Sequence, residues 1–278
     1  MLAGPTSGAL ATAAAAAANP APTDPLVADV SGCAWIAGAS SGIGRALALR
    51  LAQAGWTVVA SARRTDLLQA LAAEAPQCRI LPLSLDVTDR AATRAGLAWI
   101  EDTLGPPALV VAAAGVYEPI EAERFDAARF RATIELNVMG TAHLLEAVMP
   151  VMMRRRGGRI AVVASVAGYR GLPTAAAYGA SKAALINLCE SLKPDLDRHG
   201  VRLNLVAPGF VRTRLTERNN FPMPHLMDVE DAAEALYRGL RGRRFEITFP
   251  KRFTWQLKLL RIMPYALFFP LLRRVVGR

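Results

Sequence analysis

The chain has 278 residues, a hydrophobic content of 53% and a formal net charge of +10, and that length can bury the core of one large α/β domain. From Arg238 to the C-terminus there are 11 Lys/Arg against a single acid, Glu246, so the body is neutral and the whole surplus lies in the tail; a basic tail rich in Trp, Phe and Leu argues against nucleic acid as the partner. Cys33, Cys78 and Cys189 are scattered and odd in number, and His143, His199 and His225 are equally dispersed, which argues against a disulfide framework and against a metal site, and fits a reducing cytoplasm.

Residues 1–29 are Ala/Pro-rich, with an alanine run at 13–18 and no Lys or Arg. They lack the positive start of an export signal and read as a disordered extension, or as the product of an upstream start codon; a cryptic export signal is the lesser alternative. Residues 33–37 form a short apolar run that predicts a buried strand. Gly38-Ala39-Ser40-Ser41-Gly42-Ile43-Gly44 follows, and then a helix that stops at Gly55. A strand, a tight glycine turn and a helix make an anion cradle: glycines admit a diphosphate to the backbone, and free amides at the helix start point at its charge.

Residues 57–61 predict the second strand, ending at Ala62-Arg63-Arg64. In a dinucleotide fold this strand end lies beside the adenosine ribose, where an acid binds a free 2′-hydroxyl. Two arginines suit a 2′-phosphate instead, which favours NADP(H) over NAD. Strands over 79–85, 108–113, 159–165 and 201–207 alternate with helices over 89–103, 125–136, 137–155 and 178–198, the first of these capped by Asp89. This alternation predicts an α/β fold, a single doubly wound parallel sheet of Rossmann type. Ligands bind such sheets at the carboxyl ends of the strands. Gly38, Arg63, Asp86, Gly115, Ser165 and Pro208 all fall at that edge.

Tyr178 and Lys182 are four residues apart and share one helical face. An ammonium there is expected to lower the phenol's pKa towards working pH, giving a general acid for a substrate oxygen. Such a pair also occurs by chance on solvent-facing helices; its neighbours decide the matter. With these residues placed, the chain resembles the short-chain dehydrogenase/reductase family over about residues 33–250. Gly38 to Gly44 looks like the family's glycine motif, Asp86 with Val87 like its adenine-contacting segment, Ala114-Gly115 like the close of its fourth strand, and Pro208-Gly209 like its post-strand turn. Asn137, Ser165, Tyr178 and Lys182 fall in the order and spacing of its catalytic tetrad. The resemblance departs at Ala37 and at Ala112-Ala113, where the family often has a Thr and Asn residues that bond across neighbouring strands; losing both partners together leaves neither unpaired.

The resemblance implies that Ser165 polarises the substrate carbonyl and Tyr178 protonates its oxygen. Lys182 would hold the nicotinamide ribose, Asn137 a relay water, and Val211 and Thr213 the carboxamide end. It implies a carbonyl or alcohol substrate and a homodimer or homotetramer. Alternatives are an epimerase or dehydratase on the same site, or an NADP-binding scaffold or sensor docked at a membrane. Residues 214–227 are the expected substrate lid; Phe221-Pro222-Met223-Pro224, with Tyr169, Leu172 and Pro173, predict an apolar wall and a lipophilic substrate, long-chain, isoprenoid or steroid-like.

Residues 30–250 thus form the expected domain and 251–278 a basic apolar tail. On a helical wheel over 251–262, Lys251, Lys258 and Arg261 share one arc, while Phe253, Trp255, Leu257, Leu259 and Leu260 fill most of the rest, with Arg252 intruding. Pro264 and Pro270 bracket Tyr265 to Phe269. The run 262–272 is too short to span a bilayer, which takes about 18 residues. Two readings stand: a helix lying on anionic lipid at the inner face of a membrane, or a subunit-interface helix.

Overall fold

The computed structural model describes residues 32–218 and 223–276; the expected extension 1–29, and Phe221-Pro222 of the expected lid, lie outside them. In chain order the elements are β1 (Ala34–Ala37), α1 (Gly42–Gln53), β2 (Val58–Ala62), α2 (Thr65–Ala73), β3 (Ile80–Ser84), α3 (Arg90–Leu104), β4 (Leu109–Ala112), α4 (Ala127–Ile134), α5 (Gly140–Arg154), β5 (Arg159–Val163), α6 (Ala176–Arg198), β6 (Arg202–Pro208), α7 (Val229–Arg241), β7 (Glu246–Phe249), α8 (Lys251–Ile262) and α9 (Tyr265–Val276). The seven strands form one parallel sheet in the order β3-β2-β1-β4-β5-β6-β7. The order reverses between β1 and β4, which opens a crevice at their carboxyl ends.

The central strands β1 and β4 are buried throughout, which is why they read as unbroken apolar runs, while the edge strand β3 leaves Pro82 and Ser84 exposed. Side chains alternate between two cores, as the two-residue period of a strand demands. Trp35 and Val110 join one core with Leu97, Leu144 and Leu185, from α3, α5 and α6. Ile36 and Val111 join the other with Leu47, Leu68 and Leu236, from α1, α2 and α7. The apolar departure noted in the sequence is self-consistent: Ala37 and Ala112 are register partners, both buried, and no polar side chain is stranded between them.

Three elements differ from expectation. The helices expected over 125–136 and 137–155 are joined, not separate, through a π-turn at Glu135–Met139 that contains Asn137. Helix α7 was not legible as such, yet it is acidic in its first turn at Glu230 and Asp231 and basic in its last at Arg238 and Arg241, as the helix dipole favours. Helix α9 continues through Pro270 where the prolines predicted a bracketed segment.

Candidate active site

The cradle begins where β1 turns into α1. Gly38 has φ +96°, and a β-carbon on it would lie 2.4 Å from the Ala114 nitrogen, so the chain after β4 can approach the end of β1 this closely only because the side chain is absent. Gly42 has φ +57°, with Thr213 Cγ2 3.3 Å from where its β-carbon would be. The first turn of α1, Gly42 to Gly44, lines the crevice beside this contact. A cleft of ≈ 280 Å³ runs along it, lined by Gly38, Ser40, Ser41, Gly42, Ile43, Gly44, Arg63, Arg64, Asp86, Val87, Ala114, Gly115, Ser165, Tyr178, Lys182, Pro208, Gly209, Val211 and Thr213. Of the expected site residues, Asn137 does not line it.

At the adenosine end, Arg64 Nη2 donates to Ser40 Oγ at 3.1 Å, tying the arginine pair to the glycine turn. Arg63 Nη1 lies 3.8 Å from Asp86 Oδ2. Burial opposes ionisation of Asp86, but bonds from the Thr88 N–H and hydroxyl, together with Arg63, outweigh it and hold the carboxyl below its ordinary value. These groups could meet the adenosine end of a nucleotide: a fixed anion for the base, and cations with hydroxyls beside the ribose.

The opposite end carries the tetrad. Ser165 follows β5 and caps a short 3₁₀ turn, its Oγ accepting from Ala167 N at 3.1 Å. Its hydroxyl donates to the Pro208 carbonyl at 3.5 Å and shares the cleft wall with the Tyr178 phenol. Lys182 is buried, with Nζ donating to the Val163 carbonyl at 2.8 Å. Lys182 Nζ and Asn137 Oδ1 both converge beneath Gly115. Tyr178 opens on the cleft, but protein atoms crowd it densely.

This geometry corrects the expected charge coupling. Burial pushes the Tyr178 phenol above its ordinary value; Ser165 opposes the rise and Tyr117 adds to it. Burial likewise pulls the Lys182 ammonium down to about 8. One of the ammonium's three N–H groups donates to a backbone carbonyl, and Nζ lies 5.6 Å from the phenol ring centroid. Burial drives both groups towards their neutral forms, and for Tyr178 it outweighs the lowering by Ser165.

The side chain of Asn137 is bonded to protein groups on both sides. Its Nδ2 donates to the Val116 carbonyl at 3.0 Å and to Ser181 Oγ at 2.9 Å, and its Oδ1 accepts from Val116 N at 2.8 Å. Ser181 Oγ in turn donates to the Tyr178 carbonyl at 2.7 Å. Both amide donors are committed, so the side chain locks the loop after β4 to the first turn of α6 and has no N–H left for a water. The π-turn places it there, as such turns often do at working sites.

Tyr169 is not part of an apolar wall. It is buried, and its hydroxyl donates to Glu246 on β7, behind the cleft. Leu172 packs on the core and Pro173 is exposed. An aromatic that sequence reasoning missed is Tyr117, whose ring meets Tyr178 edge-on with centroids 5.2 Å apart. Its position two residues beyond Gly115, at a strand end, was the available signal. Leu136, Leu215 and Thr216 also line the cleft.

The short chain dehydrogenase family model matches residues 32–222. An uncharacterised oxidoreductase of Myxococcus xanthus is 43% identical over 244 residues, 87% of this chain and 96% of that protein. The 17-beta-hydroxysteroid dehydrogenase type 1 of Mus musculus is 37% identical over 203 residues, 70% of this chain and 57% of that protein. Among solved structures, a short-chain dehydrogenase of Burkholderia cenocepacia in complex with NADP has a TM-score of 0.76 at 27% identity, over 87% of this chain and 98% of that one. Sheet order, glycine cradle and tetrad together define a nucleotide-binding oxidoreductase. The chain belongs to the short-chain dehydrogenases.

Proposed function

We propose that the protein is an NADP(H)-dependent carbonyl reductase acting on a lipophilic ketone or aldehyde. The observation that carries this reading is that Ser165, Tyr178 and Lys182 meet on the wall of the same cleft that the glycine turn lines. Bound there, NADPH supplies the hydride. Ser165 Oγ donates to the substrate oxygen and stabilises the negative charge that develops on it. Tyr178 delivers a proton to the same oxygen. Lys182, beneath Gly115, would hold the ribose hydroxyls, and Arg63 and Arg64 the 2′-phosphate.

The lipophilic substrate class rests on Tyr117 against Tyr178, on Leu136 and Leu215 in the cleft lining, and on the likeness to a hydroxysteroid dehydrogenase. The test is NADPH oxidation with a panel of lipophilic and small polar ketones, in wild type and Tyr178→Phe. Removing the proton donor is expected to cut turnover about a hundred- to ten-thousand-fold while leaving NADPH binding intact. Wild-type rates in the variant would remove Tyr178 from the mechanism, and turnover confined to small polar ketones would overturn the substrate class.

A further inference from the structure

The tail does not behave as one amphipathic face. In α8, Phe253 and Leu257 are buried against the body and Leu260 packs on the same core, while Trp255, Leu259 and Ile262 project the other way. Trp255 is 69% exposed and Ile262 76%. In α9, Phe268 turns inward while Tyr265, Leu267, Phe269 and Leu271 stay out. A protein that spends this many large apolar side chains on one exposed surface has a use for it.

Beside Trp255, between β7 and the first turns of α8, lies a cavity of ≈ 270 Å³ lined by Arg244, Glu246, Thr248, Lys251, Thr254, Trp255 and Lys258. Its three cations face one acid, and that acid is already engaged by Lys258 and by the Tyr169 hydroxyl. Among the described residues, the hydrogen-bond partner of Lys251 Nζ is the Thr248 hydroxyl, at 3.1 Å. Burial, then Arg244, then Lys258 all disfavour its charge. The pocket holds more positive charge than its own residues neutralise, and it opens beside an indole.

We propose that this face docks on a membrane carrying anionic lipid, with a headgroup phosphate held by Arg244 and Lys251 and with Trp255, Leu259 and Ile262 in the acyl boundary. Charge selects lipid over a second copy of the chain. Residues 251–278 contain no acid, so a symmetric contact through this face would bring two positive surfaces together. The proposal stands independently of the reaction assigned to the cleft.

The experiment uses the full chain with vesicles of phosphatidylcholine alone, or with phosphatidylglycerol added, read by co-sedimentation and by Trp255 fluorescence. The other tryptophans, Trp35, Trp56 and Trp99, are buried or half-buried, and subtracting the Trp255→Phe signal isolates Trp255. Binding is expected to anionic vesicles, to weaken with salt, and to let brominated acyl chains quench Trp255. Lys251→Ala and Arg244→Ala should each lower partitioning by about fivefold. Both residues are exposed, so the variants are expected to fold. Equal partitioning into neutral vesicles would overturn the proposal, as would a lipid-free dimer that shields Trp255 from iodide. Inorganic phosphate that shifts Trp255 as fully as vesicles do would make this a soluble-anion site and overturn the lipid assignment.

Discussion

Lys182 shows what a single buried charge costs and how it is tolerated. Its ammonium is 4% exposed with a carbonyl as its hydrogen-bond partner, so the folded state disfavours the protonated form. Between about 8 and 10.5 the unfolded chain holds a proton that the folded protein has released. This contribution to stability therefore rises with pH through that window, and below it the full penalty is present. Lys182→Met is expected to stabilise the cofactor-free protein near neutral pH by about 2 kcal/mol, the charge penalty less the lost carbonyl bond. That advantage should fade as pH climbs through the window. Urea unfolding of both proteins across pH measures the difference directly, and Cys33 and Cys189, whose thiols burial raises to about 12, cancel from it. An advantage that does not change with pH would place the charge elsewhere.

At the scale of elements, the corner between α8 and α9 is held by one side chain of the body. Arg170 Nη2 donates to the Met263 carbonyl at 2.9 Å and Nη1 to the Arg261 carbonyl at 3.4 Å. Its guanidinium lies 4.2 Å from the Tyr265 ring centroid and 4.6 Å from that of Phe268. A cation at a helix C-terminus, with two aromatic faces over it, stabilises both helices at once. Arg170→Ala is expected to cost α9 about 2 kcal/mol of its docking. Tryptic cleavage at Arg273 and Arg274 should accelerate several-fold while the cofactor-induced thermal shift stays unchanged. At the other end of α8, Phe253 packs over Gly209 and stacks with Phe210 at 5.1 Å between centroids. The tail thereby abuts the turn that lines the cofactor cleft.

For the whole molecule, a ligand that binds only the folded state adds stability by mass action, about 2.7 kcal/mol at a hundredfold excess over its Kd. NADPH should raise Tm more than NADH does, and the combined Arg63→Ala and Arg64→Ala variant should lose that preference. Each arginine bond to a phosphate contributes about 1.5–3 kcal/mol. Equal shifts from both nucleotides in the wild type would sink the NADP assignment. The parallel sheet, the glycine cradle and the place of Ser165 at the strand ends were legible in the sequence alone, from short-range rules: the two-residue period of strands and the stereochemistry of glycine. That Tyr178 and Lys182 join Ser165 there was implied by the family resemblance. Only the tertiary structure decided that Tyr178 and Lys182 are both pushed towards neutrality, because burial depends on atoms brought from β4, β5 and α6. It likewise turned Tyr169 from a pocket wall into a partner of Glu246, spent the Asn137 amide on Val116 and Ser181, and divided the tail's apolar residues between core and surface. A helical wheel gives the angles of side chains but not the side on which the rest of the protein lies.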